Sequence, residues 1–355
     1  MTDPSGAATA TDGRTRIPGP VRTIDYHTAG EPFRIVPAPP VPIPGATVAE
    51  RRQRAIDDPD VDGLRRLLCF EPRGHADMYG GFVTPPDDDG AHLGVLFWHK
   101  DGFSTACGHG TIALGAWALR SGLVPADPSG VTDVVIDVPS GRVTARVRTG
   151  DDGRVREVDF VNVPSALVDA GVPVATSRGE IRVDLAWGGA LYACVDAASA
   201  GLTVTPENLG ELIALGREVK AALAGDARLE HPTDPRLSGL YGTIVVDDLG
   251  TSPDGGPHQR NVTIFADGQV DRSPCGSGTA ARVAVLAATG RLGDGQVLVH
   301  DSIVGTRFRA RVLERVTDEG RDAVVPVVTG VAHHVATSVF EVDPDDTLTP
   351  GFVLR

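Results

Sequence analysis

Several things are scarce in this chain. Cysteine occurs four times in 355 residues, at Cys69, Cys107, Cys194 and Cys275, and never as a C-x-x-C pair. That excludes a disulfide-built scaffold and argues against a cysteine zinc site; no metal is expected. Basic residues are outnumbered 33 to 47 by acidic ones, for a net charge of −14. This balance disfavours nucleic acid and anionic membranes as partners, while a local site can still attract a small anion. No apolar run reaches the roughly 18 residues of a membrane span, and the first residues do not read as a secretory signal. A cytoplasmic protein with reduced thiols is the expectation.

Glycine and proline, by contrast, are abundant. With 43 Gly and 27 Pro they make up roughly a fifth of the chain, against about an eighth on average. Many short elements follow from that, not a long helical bundle. Residues 1–20 carry almost no large apolar side chains and read as a disordered tail. Five prolines over residues 37–44 forbid helix or central strand there. Helices are expected over 48–56, with Thr47 as N-cap and Glu50 completing a capping box, and over 60–69, 112–120, 206–223 and 279–288. Strand patterns cover 21–28, 81–84, 93–98, 131–138, 143–147, 181–187, 242–247 and 261–265, and alternate through 296–340. Residues 165–179 have turn character and mark a boundary. The expected fold class is α+β, with a first domain over 21–178 and a second over 179–344. Residues 345–355 are candidates to complete the first.

One motif occurs twice. Ser104-Thr-Ala-Cys-Gly-His-Gly-Thr-Ile-Ala and Arg272-Ser-Pro-Cys-Gly-Ser-Gly-Thr-Ala-Ala share Cys-Gly-X-Gly-Thr, each opening an apolar helix, close to half a chain length apart. A thiol at a helix N-terminus feels the positive end of the dipole, which lowers its pKa. The free N–H groups of the first turn can bind a carboxylate. Two such helix starts facing one another place a sulfur on each side of a small anion. One thiolate removes a proton from carbon while the opposite thiol supplies one, inverting the centre without a cofactor. Cys69 and Cys194 lie in apolar runs without this context and read as core residues.

Further motifs carry a family resemblance: His27-Thr-Ala-Gly-Glu-Pro32, Glu71-Pro-Arg-Gly-His-Ala-Asp-Met-Tyr-Gly80, Trp187-Gly-Gly189, Leu237-Ser-Gly-Leu-Tyr-Gly-Thr243 and Asp271-Arg-Ser-Pro-Cys275. With the two cysteine segments they resemble the proline racemase family, which includes hydroxyproline 2-epimerases and trans-3-hydroxyproline dehydratases. The resemblance implies a diaminopimelate-epimerase-like fold of two pseudo-symmetric halves, each a curled mixed sheet around a central helix, with the site in the cleft between them. It also implies a homodimer and no cofactor. Cys107 and Cys275 match the paired acid/base positions. Gly108, His109, Gly276 and Ser277 match those whose amides hold the substrate carboxylate. Asp271 matches the partner of the ring nitrogen, and Tyr79 and Phe265 match walls around the ring.

The second cysteine favours a racemase or epimerase over the dehydratase branch, which typically carries Thr there. The segments around Asp77–Gly80, Gly102–Cys107 and Asn261–Gly268 look closer to the dehydratase and proline racemase branches. The expected function is inversion at Cα of proline or a hydroxyproline, with dehydration of trans-3-hydroxy-L-proline as the alternative. Two remoter readings remain. Gly276-Ser-Gly-Thr-Ala-Ala281 nearly matches a dinucleotide-binding turn of a Rossmann oxidoreductase, and a non-catalytic proline binder would use the same pocket. His333-His334 suggests metal only weakly, since adjacent strand residues face opposite ways. His27 and His75 read as orienting groups.

Overall fold

The structure, a computed structural model, describes residues 19–354; the expected tail lies almost wholly outside them. The first half runs β1 (Val21–Thr28), β2 (Glu31–Val36), α1 (Val48–Asp57), α2 (Pro59–Cys69), β3 (Tyr79–Thr84), β4 (Leu93–His99), β5 (Gly102–Phe103), α3 (Gly108–Arg120), β6 (Val131–Val138), β7 (Gly141–Thr149) and β8 (Val155–Val161). The second runs β9 (Ala166–Thr176), β10 (Gly179–Trp187), β11 (Leu191–Asp196), α4 (Leu209–Ala222), β12 (Leu240–Thr251), β13 (Pro257–Phe265), β14 (Gln269–Asp271), α5 (Gly276–Ala288), β15 (Leu298–Ser302), β16 (Arg307–Asp318) and β17 (Arg321–Gly330). A last strand, β18 (Ala332–Phe340), follows.

The pairing repeats between the halves. β2 and β3 pair parallel across α1 and α2, as β11 and β12 do across α4. β4 and β6 pair parallel across α3, as β13 and β15 do across α5. The short β5 hangs on β4 as β14 hangs on β13. β8 then pairs with β17, so the two curled sheets join, among the described residues, into one of 18 strands.

Strand partners divide the chain differently from residue order. β18 pairs with β1, from Val21–Phe340 to Thr28–Ala332, so the first sheet is closed by residues 332–340, which the sequence reading left with the second domain. Beyond it, Phe352 exchanges backbone hydrogen bonds with Glu71 in the first half. Residues 166–176, read as turn and given to the first domain, form β9 and pair with β10. Gly171 and Pro173 interrupt the strand pattern there. β9 pairs on one side only, and an edge strand tolerates a proline and a bulge there.

The helix starts follow ordinary rules. Thr47 caps α1 by accepting from the Glu50 N–H at 3.2 Å, and Asp58 caps α2. α3 and α5 are apolar nearly all round and buried on every face, each lying inside its own sheet. Phe33, Phe97, Phe160 and Phe308 are fully buried around them, in a core that runs continuously through both halves. Each such ring contributes on the order of 2 kcal/mol of burial before ordering entropy is charged. Both central helices begin three or four residues earlier than the apolar pattern indicates, at the glycine after each cysteine.

Candidate active site

The two central helices meet N-terminus to N-terminus. A Cβ at Gly108 would stand 2.6 Å from the Gly276 Cα, and one at Gly276 would stand 2.5 Å from the Gly108 Cα. Only glycine permits that approach. The contact sets Cys107 and Cys275, the residues just before each helix, at the same place between the halves. Both are buried, at 4 % and 6 % exposure. Within the first turns, the N–H groups of Gly108, His109, Gly276 and Ser277 have no intrahelical acceptor, as geometry requires of any helix start.

The two thiols are held differently. Cys107 is in extended backbone at φ −157°, and its Sγ accepts from the Gly110 N–H at 3.2 Å. Its sulfur also lies 3.5 Å from the His109 Nδ1. Cys275 sits at φ +63°, a strained conformation for a side chain, costing on the order of 1–3 kcal/mol. Its surroundings fix it there. The Cys275 N–H donates to Ser273 Oγ at 3.1 Å, and the Ser273 hydroxyl donates to Asp271 Oδ1 at 2.7 Å. The Pro274 carbonyl accepts from Asn261 Nδ2 and from Thr279 Oγ1.

Electrostatics differ from the simple dipole argument. Burial pushes the Cys107 thiol well up, against the lowering pull of the Gly110 N–H, and negative charge at Asp271 and Cys275 pushes it further. Burial and Asp271 likewise raise Cys275. At both thiols desolvation outweighs the helix ends. Burial also raises the Asp271 carboxyl to about 6 and lowers His109 to about 3, so His109 is neutral. The His109 ring lies 3.9 Å from Asp271 Oδ2.

Aromatic residues wall this centre. Tyr79 packs edge-on to His109 with centroids 5.0 Å apart, and Phe265 lies 5.8 Å from Tyr79. All the expected site residues are thus brought together: Cys107, Gly108 and His109 from the first half, Asp271, Cys275, Gly276 and Ser277 from the second, and Tyr79 and Phe265 beside them. Sequence reasoning missed four neighbours. Tyr241 stacks on Phe265 at 5.7 Å and shares a 3.0 Å hydroxyl contact with Tyr79, which also bonds Ser104. Tyr192 bonds Ser277 Oγ at 2.7 Å and stands 4.0 Å from the Cys275 sulfur. Glu31 is fully buried, accepts from the Arg272 N–H at 2.8 Å, and is pushed well up by burial and by Asp271. Ser104 and Glu31 lie within the quoted motifs, as does Tyr241; only Tyr192 had no signal beyond an apolar strand.

Other expectations resolve simply. His27 and His75 each accept a backbone N–H in their own turn, from Gly30 and Asp77. His333 lies 5.2 Å from the His27 ring and His334 against Tyr26; among the described residues no three potential ligands cluster for a metal. The dinucleotide turn is not formed. The chain passes from the three-residue β14 through Arg272–Cys275 before α5 begins, with no tight strand-to-helix turn. Among the described residues, no helix is long and apolar enough to cross a membrane.

The proline racemase family pattern matches residues 23–353, almost the entire chain. The chain belongs to the proline racemase family. It is 44% identical over 341 residues to a 3-hydroxyproline 2-epimerase of Burkholderia multivorans, covering 96% of this chain and 100% of that one. It is 40% identical over 336 residues to a trans-3-hydroxy-L-proline dehydratase of Colwellia psychrerythraea, covering 94% and 93%. Among solved structures, a hydroxyproline epimerase of Agrobacterium vitis with bound trans-4-hydroxy-L-proline superposes with a TM-score of 0.86 at 32% identity, over 94% of this chain and 96% of the other. This proline racemase family member is therefore an enzyme, with the diaminopimelate-epimerase-like α+β fold.

Proposed function

We propose that this enzyme inverts Cα of proline or a hydroxyproline by two-cysteine proton transfer, without a cofactor. The observation that carries this reading is the meeting of the two glycine-opened helices, each preceded by a buried free thiol. The N–H groups of Gly108, His109, Gly276 and Ser277 hold the substrate carboxylate, replacing water as the counter-charge. Asp271 takes the ring ammonium in a charge-assisted bond, and Tyr79 and Phe265 flank the ring. One sulfur, as thiolate, removes the α-proton; the other, as thiol, protonates the opposite face. Expulsion of water on binding strengthens each of these interactions.

Dehydration is the second reading. The Colwellia relative carries that name, and the hydroxyls of Tyr79, Ser104 and Tyr241 offer a local observation in its favour. They carry three protons but share two bonds among themselves, leaving one proton to give to a departing C3 hydroxyl. The reading also brings a homodimer, tested by sedimentation equilibrium, and a reducing compartment such as the cytoplasm, consistent with four free thiols.

The deciding experiment incubates the protein in D2O with L-proline, trans-4-hydroxy-L-proline and trans-3-hydroxy-L-proline in turn. Deuterium at Cα together with the opposite enantiomer or epimer is the expected result. A pyrroline carboxylate from the 3-hydroxy substrate alone establishes dehydration instead. No exchange with any of the three, in a reduced sample, removes both readings.

A further inference from the structure

Beside the hydroxyl cluster lies a cavity of about 730 Å³, lined in part by Ser104 and Tyr241 and by neither Cys107 nor Cys275. Its walls come from both halves: Arg52 of α1 from the first, Lys220 and Ala221 of α4 from the second. Four cations border it, and two of them are already matched. Arg217 pairs with Asp267 at 3.2 Å, and Arg236 pairs with Asp234 at 2.7 Å. The second carboxylate in the wall, Asp101, is bonded to Lys100 at 2.9 Å.

Arg52 and Lys220 are left over. Arg52 donates to the Phe103 carbonyl through Nε and Nη2, at 2.9 and 2.7 Å, and to the Arg236 carbonyl at 3.3 Å. Lys220 donates to the Ala266 carbonyl at 2.8 Å and, more weakly, to the Tyr241 carbonyl at 3.5 Å. Among the described residues neither has a carboxylate within 4.0 Å. Both are partly withdrawn from water, and burial lowers the pKa of each. In a chain with a net charge of −14, an acid could readily have been placed against either. Each hydrogen-bonds only neutral acceptors, and the carboxylates that attract them at longer range, Asp234 for Arg52 and Asp101 and Asp267 for Lys220, are already paired with Arg236, Lys100 and Arg217.

We propose that this cavity is an anion site, taking a small oxyanion such as a carboxylate or phosphate between Arg52 and Lys220. The two cations stand on opposite halves, so a bound anion bridges the cleft and stabilises the arrangement in which the halves are drawn together. The site is distinct from the helix N-termini at the cysteines, and it does not rest on the functional reading above.

The test is thermal unfolding of the full chain with sodium acetate or sodium phosphate, against sodium chloride at equal ionic strength. A saturable rise in Tm above the chloride control is expected. Arg52→Met and Lys220→Met should each weaken the apparent affinity about tenfold, the loss of one charged hydrogen bond; Lys220→Arg should retain it. Because the Met variants also lose main-chain contacts, Ala221→Glu supplies an independent arm. A carboxylate brought in from the cavity wall should raise the basal Tm and abolish the response to anions. A response to acetate, phosphate or both that the Met variants weaken and Ala221→Glu abolishes supports the site and identifies the anion it prefers. No rise beyond chloride, or an equal rise in wild type, both Met variants and Ala221→Glu, overturns it. Cα exchange measured on the same preparations keeps the two proposals separate: its absence from wild type removes the functional reading and leaves the anion result standing.

Discussion

The starts of α3 and α5 share Cys-Gly-X-Gly-Thr, yet they present their thiols in different ways. Cys107 sits in relaxed extended backbone, with its sulfur capping its own helix. Cys275 is held at φ +63° by a chain of hydrogen bonds through Ser273 to Asp271. The third thread residue differs too: His109 follows the first cysteine and Ser277, bonded to Tyr192, follows the second. Duplicated halves can thus keep a common helix start while the groups around it make the two thiols inequivalent. The strain at Cys275 is stored next to the Asp271 carboxyl, which burial raises to about 6.

The largest effect should come from removing either sulfur. Cys107→Ala and Cys275→Ala are each expected to reduce inversion by at least about 10³-fold, since each deletes one of two proton carriers. Chiral chromatography of the product measures it. Cys275→Thr sharpens the comparison further. It keeps the Cys107 base but removes the opposite thiol, so inversion should stop and loss of the 3-hydroxyl from trans-3-hydroxy-L-proline should take its place. Retained inversion in any of these variants breaks the two-thiol reading.

Next in size are the glycines where the helices touch. Gly108→Ala and Gly276→Ala each force a methyl to about 2.5 Å from backbone of the other helix. Neither backbone can yield as a side-chain tip would, so each should cost about 1–3 kcal/mol of stability and about 100-fold in kcat/KM through misplacement of both thiols. Urea midpoints and initial rates provide the check. A tolerated substitution at either position would show that the helix starts separate in the working enzyme.

Asp271 gives a smaller, pH-dependent effect. Burial raises its folded-state value to about 6 from an ordinary 3.8. Between those values the folded protein keeps a proton that the unfolded chain has released, so this group's contribution to stability falls as pH rises through the window and is level above it. Asp271→Asn has no proton to lose and should not show that fall in urea midpoints between pH 4 and 7. If the ionised carboxylate meets the ring ammonium, kcat/KM should rise through about pH 6 in wild type. The Asn variant should lose that limb and run about 10- to 100-fold slower above it.

Much of this centre was readable in advance because it is local. A five-residue motif repeated at a helix start announces itself without any knowledge of strand order. What was hidden is non-local or carried by residues with several uses. The apolar pattern starts α3 and α5 late, because glycine is a poor helix former and is discounted there; the close approach of Gly108 and Gly276 is a tertiary demand. β18 reads as a strand of the second half and pairs with β1 because pairing partners are not encoded in alternation. Tyr192 sits in an apolar strand run like any core tyrosine, and only the fold turns its hydroxyl to Ser277. Arg52 and Lys220 look like ordinary polar positions on helices α1 and α4 until both border one cavity.

The smallest expected effect concerns the other two cysteines, and it decides what makes a thiol special here. Cys69 and Cys194 are as buried as Cys107 and Cys275, and burial pushes them up to about 12 and about 11. Burial and a raised pKa therefore do not separate one pair from the other. Position does: Cys69 ends α2 with its thiol facing the Met78 carbonyl at 3.4 Å, and Cys194 lies within β11, at the start of neither α3 nor α5. Cys69→Ala and Cys194→Ala should each cost about 1 kcal/mol of stability, from the lost packing of one sulfur, and leave inversion within about twofold. Urea unfolding and the Cα exchange rate test both halves of that statement. If Cys194→Ala stopped inversion while Cys275→Ala did not, chemistry would have parted from the facing helix starts, and the resemblance between the two halves would concern the fold alone.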